Sequence, residues 1–140
     1  MKPFIGITLL LLLAAGCSGR VSVGGKVSYD DGQTVTDGGV SFHSATETYH
    51  GLLDKQGNYR LGSGGNTNGI RPGTYQVTVS SFHLDENTNP VYDVSPKYGK
   101  KETSGLTCEV KGRTVFDIKV EHASEAEQPK KRNRKKPADD

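Results

Sequence analysis

Apolar and polar residues alternate with a period of two along most of this chain, which is the mark of half-buried strands. Val23, Val27 and Tyr29 share one face of a strand over Val23 to Tyr29, with Gly25 between them. A short extended stretch, Thr34 to Thr36, follows; then Val40 and Phe42 alternate with Ser41 and His43. Tyr49 to Leu53 and Asn58 to Leu61 read as two further strands, with Tyr59 and Leu61 inward. Asp54-Lys55-Gln56-Gly57 joins them as a tight connection, so the second is expected to return as the hairpin partner of the first. The clearest strand is Thr74 to Phe82, where Tyr75, Val77 and Val79 face one way and Gln76, Thr78 and Ser80 the other. Leu106, Cys108 and Val110 resume the alternation, and Phe116, Ile118 and Val120 complete a last strand. Turn residues punctuate these runs at Asp30-Asp31-Gly32, Asp37-Gly38-Gly39, Arg71-Pro72-Gly73 and Lys111-Gly112-Arg113. No segment has a convincing helical period. About seven short strands with turns between them predict an all-β sandwich, one face of each sheet buried and the other wet.

Two stretches break the pattern. Gly62 to Gly69 is a glycine-rich loop with no helix after it, so it lacks the helix N-terminus that a phosphate loop needs. His83 to Gly105 is long and polar and contains Pro90 and Pro96. Loops of this length are uncommon in a small domain and are often functional or mobile. Tyr92 and Tyr98 are its aromatic residues and the candidate contacts of a binding loop.

The N-terminus follows different rules. Lys2 supplies a positive start, Phe4 to Leu13 is apolar apart from one Thr, and Ala14, Ala15 and Gly16 are small. That is the layout of a secretory signal peptide. The apolar run is shorter than the roughly 20 residues a membrane span needs. Ala14-Ala15-Gly16-Cys17 resembles the lipobox of bacterial lipoproteins, although Ala14 stands where Leu is commoner. The resemblance implies that Cys17 receives a diacylglycerol and that the chain is cut just before it. With two or three chains, at about 0.8 kcal/mol per buried methylene, the anchor is firm. The expected organisation is a signal peptide at 1–16, a lipidated tether at 17–21, a β-sandwich at 22–122 and a disordered basic tail at 123–140.

Composition adds three constraints. The chain has two Cys, so lipid on Cys17 leaves Cys108 without a disulfide partner. Its alternation with Leu106 and Val110 makes Cys108 a buried thiol rather than a nucleophile. The net charge of +2 hides an asymmetry: Lys130, Lys131, Arg132, Arg134, Lys135 and Lys136 crowd one short run near the C-terminus. That run has almost no apolar residues and cannot bury enough surface to fold. It is a candidate contact for anionic head groups or acidic envelope polymers, at about 1 kcal/mol per cation near a charged surface. Nucleic acid is not an expected partner of an exported chain.

The sequence contains no legible active site. His43, His50, His83 and His122 have no metal-ligand spacing, no serine shows a base beside it, and Asp85, Glu86 and Asp93 fit no calcium-loop pattern. No metal or cofactor is expected.

Several pieces together are similar to a known family. They are Val23-Gly24-Gly25-Lys26-Val27-Ser28-Tyr29, Gly39-Val40-Ser41-Phe42, Asp54 to Leu61, Pro72-Gly73-Thr74-Tyr75-Gln76-Val77-Thr78-Val79, Pro96-Lys97-Tyr98 and Thr103-Ser104-Gly105-Leu106-Thr107. In order and spacing they resemble the carboxypeptidase regulatory-like domains of the transthyretin-like (prealbumin-like) group, in the form carried by small planctomycete lipoproteins. The resemblance covers about residues 22–121 and implies a seven-stranded Greek-key sandwich, Ig-like in architecture, without catalytic residues. Hydroxyisourate hydrolases share that architecture, but their C-terminal Tyr-Arg-Gly-Ser signature is absent; this chain ends Lys-Lys-Pro-Ala-Asp-Asp.

The expectation is therefore a non-enzymatic envelope lipoprotein held by membrane lipid through Cys17. Its sandwich would bind an envelope protein or a glycan, or serve a structural role. The alternatives are a carbohydrate-binding envelope domain, with Tyr92 and Tyr98 as sugar platforms, and an accessory to an envelope hydrolase.

Overall fold

The computed structural model describes residues 19–62 and 68–130. Among the described residues ten short strands form in chain order: β1 (Val23–Tyr29), β2 (Gly39–His43), β3 (Thr48–Leu52), β4 (Asn58–Arg60), β5 (Gly73–Ser80), β6 (Phe82–Leu84), β7 (Pro90–Tyr92), β8 (Leu106–Val110), β9 (Thr114–Val115) and β10 (Ile118–Val120). Two sheets stack face to face. In the first, β1 is central, with β4 antiparallel on one side and β9 then β10 parallel on the other. The second is antiparallel in the order β3-β2-β5-β8. The architecture is an all-β sandwich.

The alternation read from the sequence builds the core between the sheets. Val23, Val27 and Tyr29 from β1 and Ile118 and Val120 from β10 meet Val40, Phe42, Tyr75, Val77, Val79, Cys108 and Val110 from the second sheet. Phe42 is the hub: its ring centroid lies 6.3 Å from Tyr59, 5.9 Å from Tyr75 and 6.1 Å from Phe116. Such tilted and edge-on pairs add to the area they bury. Cys108 is buried and unpaired, and burial pushes its thiol pKa up.

Two sequence expectations are corrected and a third is met in part. Tyr49–Leu53 and Asn58–Leu61 meet as antiparallel partners around the turn: the Asp54 N–H donates to the Asn58 carbonyl at 3.0 Å, and His50 and Gly62 exchange backbone bonds at 3.4 and 3.3 Å. The Asp54–Asn58 turn hands the chain from the second sheet to the first, where β4 pairs with β1. Asp54 Oδ1 accepts the backbone N–H of Gln56 at 2.8 Å and of Asn58 at 2.9 Å, while Gly57 takes a φ of 78°.

The last strand is broken between β9 and β10, although both keep one register along β1. At the break, Asp117 Oδ1 accepts the Lys26 N–H at 2.9 Å in place of a backbone carbonyl. The freed Phe116 carbonyl instead accepts the Tyr59 hydroxyl at 2.6 Å and sits over Gly25, which has no Cβ to oppose it.

The long polar stretch is not a bare loop. It holds the β6–β7 hairpin, a 3-10 turn over Pro96–Gly99 and the one-turn helix α1 (Lys101–Ser104). The last two lie against β5 and bury Tyr98. A single helical turn has no room to show a period, which is why the sequence pattern hides it.

Candidate functional site

Beyond Ser80 the chain leaves the second sheet and extends as β6, turns, and returns as β7. Asp85 builds the turn: its Oδ1 accepts the N–H of Asn87 at 2.9 Å and of Asn89 at 2.8 Å. Thr88 takes the positive φ, 62°, that Gly57 takes in the other Asp turn. Phe82 pairs with Tyr92 and Leu84 with Pro90 across the hairpin. The period-two pattern that points apolar residues inward elsewhere here points them at water, because no sheet lies opposite. Phe82 is 55% and Leu84 59% exposed. A two-stranded hairpin is marginal on its own and needs bracing.

The brace comes from the C-terminal segment. Gln128 caps the free side of β7, accepting the Tyr92 N–H at 2.9 Å and donating to the Tyr92 carbonyl at 2.9 Å. Buried Ser95 donates its hydroxyl to Glu127 Oε1 at 2.6 Å. Glu127 Oε2 accepts the backbone N–H of Ser124 at 2.8 Å and its hydroxyl at 3.0 Å. These donors, Ser95 foremost, hold the Glu127 carboxyl below the usual carboxylate range. Ala123 and His122 tie the same segment to Asp93 and Val94. The tail boundary expected at 123 is thus corrected: Ala123 to Gln128 is docked structure, with a 3-10 turn over Glu125–Glu127. Its polar side chains find partners in the buried Ser95 hydroxyl and the Tyr92 backbone, which a hydrophobicity argument does not foresee.

Two His–Asp pairs flank the hairpin base. His83 Nδ1 donates to Asp93 Oδ1 at 2.9 Å, and His122 Nε2 donates to Asp31 Oδ2 at 3.1 Å. The His122 ring stacks on Tyr29 with centroids 3.6 Å apart. The backbone N–H of Gln33, then His122, lowers the Asp31 pKa. Burial, with Asp93 and Asp31 nearby, raises that of Tyr29. On the opposite side of the molecule His43 is bonded through both ring nitrogens, to Thr48 at 3.2 Å and Thr78 at 2.9 Å, and burial lowers its pKa. Among the described residues, no three His, Cys, Asp or Glu side chains converge as a metal site.

The sequence-derived site residues fall as follows. Tyr92 lies on the hairpin, half-buried. Tyr98 does not: it is 9% exposed, packed into the core, with the Lys97 amine 5.0 Å from its ring centroid and bonded to Glu121 at 2.6 Å. The paired sugar platform is therefore corrected, since the Tyr98 ring is buried in the core. Lys130 is exposed; Cys17, Lys131, Arg132, Arg134, Lys135 and Lys136 lie outside the described residues. Sequence reasoning missed Phe82, Leu84 and Gln128. One signal was present: Asp85-Glu86-Asn87-Thr88-Asn89 repeats the Asp-to-Asn spacing of Asp54-Lys55-Gln56-Gly57-Asn58, and so marks a second tight turn between two extended runs.

No protein-family model matches this chain, and no curated protein matches it. A solved structure of a DUF3823 family protein from Parabacteroides merdae superposes on it with a TM-score of 0.46 at 14% sequence identity. The match covers 75% of this chain and 47% of that one, so the chain spans about half the length of that protein.

Proposed function

We propose that this chain is a non-enzymatic cell-envelope lipoprotein, anchored through Cys17, whose sandwich binds another envelope protein through the β6–β7 hairpin. The observation that carries the reading is the apolar surface of Phe82 and Leu84, held in water on a hairpin braced by Ser95, Glu127 and Gln128. A rigid apolar patch with a polar rim is the composition of an interface. The parallel pairing of β1 with β10 adds a second support. A tether at 17–21 would run into β1 at Val23, and the hairpin and C-terminal segment stand at the other end of that strand, beyond Tyr29 and Val120. The patch would therefore face away from the anchoring membrane. The motif pieces quoted above support membership in the carboxypeptidase regulatory-like, transthyretin-like group, and the lipobox supports export.

Two experiments test this. Fatty-acid labelling of cells should mark the wild-type chain and leave Cys17→Ala unmarked; an unmarked wild type overturns the anchor. A photo-crosslinking residue at position 84 should give a discrete protein adduct that a probe at exposed Lys119 does not give, and Phe82→Ser should abolish it. Equal adducts at both positions, or none, overturn the hairpin as the contact surface.

A further inference from the structure

The outer face of the first sheet carries an open groove of about 780 Å³, remote from the hairpin. Its floor is β1 at Gly24, a residue with no side chain to fill the space. Val115 and Arg60 stand on either side of Gly24 in register, and Lys26 and Asn58 form the next row. Arg113 closes one end. Val115, 73% exposed, and Leu52, 84% exposed, make apolar shoulders.

The charges in this groove are unequal in availability. Lys26, Arg60 and Arg113 are exposed, and their side chains have no hydrogen bond or ion pair among the described residues. The two carboxylates are already committed to the fold. Asp54 Oδ1 holds the turn N–H groups, and Asp117 Oδ1 holds the Lys26 N–H. Three unpaired cations thus face two carboxylates whose negative charge is partly satisfied.

From this arrangement we infer that the groove binds an acidic polysaccharide, a linear polymer of sugars bearing carboxylates. The Arg60 and Arg113 guanidiniums would take carboxylates by paired N–H donors, and Lys26 would add a third positive contact. The Asn58 side-chain carbonyl, whose amide group is bonded to Asp54, and the outer oxygen of Asp117 would accept from hydroxyls, and Val115 and Leu52 would meet the C–H faces of the rings. An acidic peptide fits less well. β1 is hydrogen-bonded on both sides, so the groove floor offers no free backbone edge for an added strand.

The test uses the full chain in detergent, with the basic residues Lys130, Lys131, Arg132, Arg134, Lys135 and Lys136 replaced by Gln in every protein compared. Calorimetry against polygalacturonate should detect binding that weakens as salt rises, with none to neutral dextran. Arg60→Gln and Arg113→Gln should each lower the affinity about tenfold, the loss expected for one charge-assisted contact. Arg71→Gln, outside the groove and ion-paired with Glu47 at 3.6 Å, should not. Phe82→Ser should also leave it unchanged, which separates this site from the hairpin. No binding to polygalacturonate, equal binding to dextran or to poly-glutamate, or affinity indifferent to Arg60 and Arg113 overturns the assignment. Unchanged thermal midpoints for the two arginine variants show that the loss is local.

Discussion

Gly25 shows how much one position can decide. The Phe116 carbonyl occupies the place that a Cβ there would take, and that carbonyl is itself fixed by the Tyr59 hydroxyl. Gly25→Ala must push β1 away from the last strand, so a loss of about 3 kcal/mol in urea unfolding is expected. His43 makes a second residue-scale prediction. Burial lowers its pKa in the fold, so the unfolded chain takes up its proton first as pH falls. The stability it supports is complete above about pH 6.5 and drains away as pH drops toward the folded value. The stability of His43→Gln between pH 7.5 and 5 should therefore fall less steeply than that of the wild type. At this scale the sequence was a good guide to inward residues and a poor one to outward aromatics. Tyr75, Val77 and Cys108 are buried as their alternation predicts. Tyr98 deceived because its neighbours are polar and its burial depends on a short turn folding back over β5.

At the level of elements, the two Asp-capped turns are the most informative comparison. They share a hydrogen-bond pattern and differ at the position of positive φ: Gly57 at 78° and Thr88 at 62°. A β-branched residue is strained there, and glycine is not. Thr88→Gly should raise the thermal midpoint, gaining about 0.5–1 kcal/mol after the added freedom of the unfolded chain is counted. Asp54→Ala should lose about 1–2 kcal/mol, because the Gln56 and Asn58 N–H groups lose their acceptor. Strand positions were legible because each needs only its own alternation. Partners were less so: nothing local in Asn58-Tyr59-Arg60 says that, besides meeting β3 around the turn, it forms its ladder with β1. That second pairing goes with the burial of Tyr59 and Leu61 in the core.

The whole molecule joins its last described segment to the hairpin through Glu127. Because the Glu127 carboxyl is held below the usual range, its contribution is present above the unfolded value, about pH 4.3, and is lost as pH falls through the folded one. Acid should therefore release the segment before the sandwich unfolds. Glu127→Gln should make protease cleavage near Ser124 as fast at neutral pH as acid makes it in the wild type. Of the candidate site, the sequence indicated the stretch and Tyr92 but not its brace, since Ser124, Glu127 and Gln128 read as tail until their partners Ser95 and Tyr92 are in place.

The parallel alignment of β1 with β9 and β10 also has a mechanical meaning. The chain runs into the first sheet at the Val23 end of β1 and leaves it past Val120, beside Tyr29, so its entry and exit lie at opposite ends of the sheet. A pull between them slides β1 along its neighbour. Bonds such as Thr114 N–H to the Ser22 carbonyl, Phe116 N–H to Gly24 and Asp30 N–H to Val120 then resist together, in shear. Had the two strands been antiparallel, entry and exit would lie at one end and the ladder would open one rung at a time. A domain stretched between a fixed point at its start and a grip at its far end is thus loaded in its stronger direction.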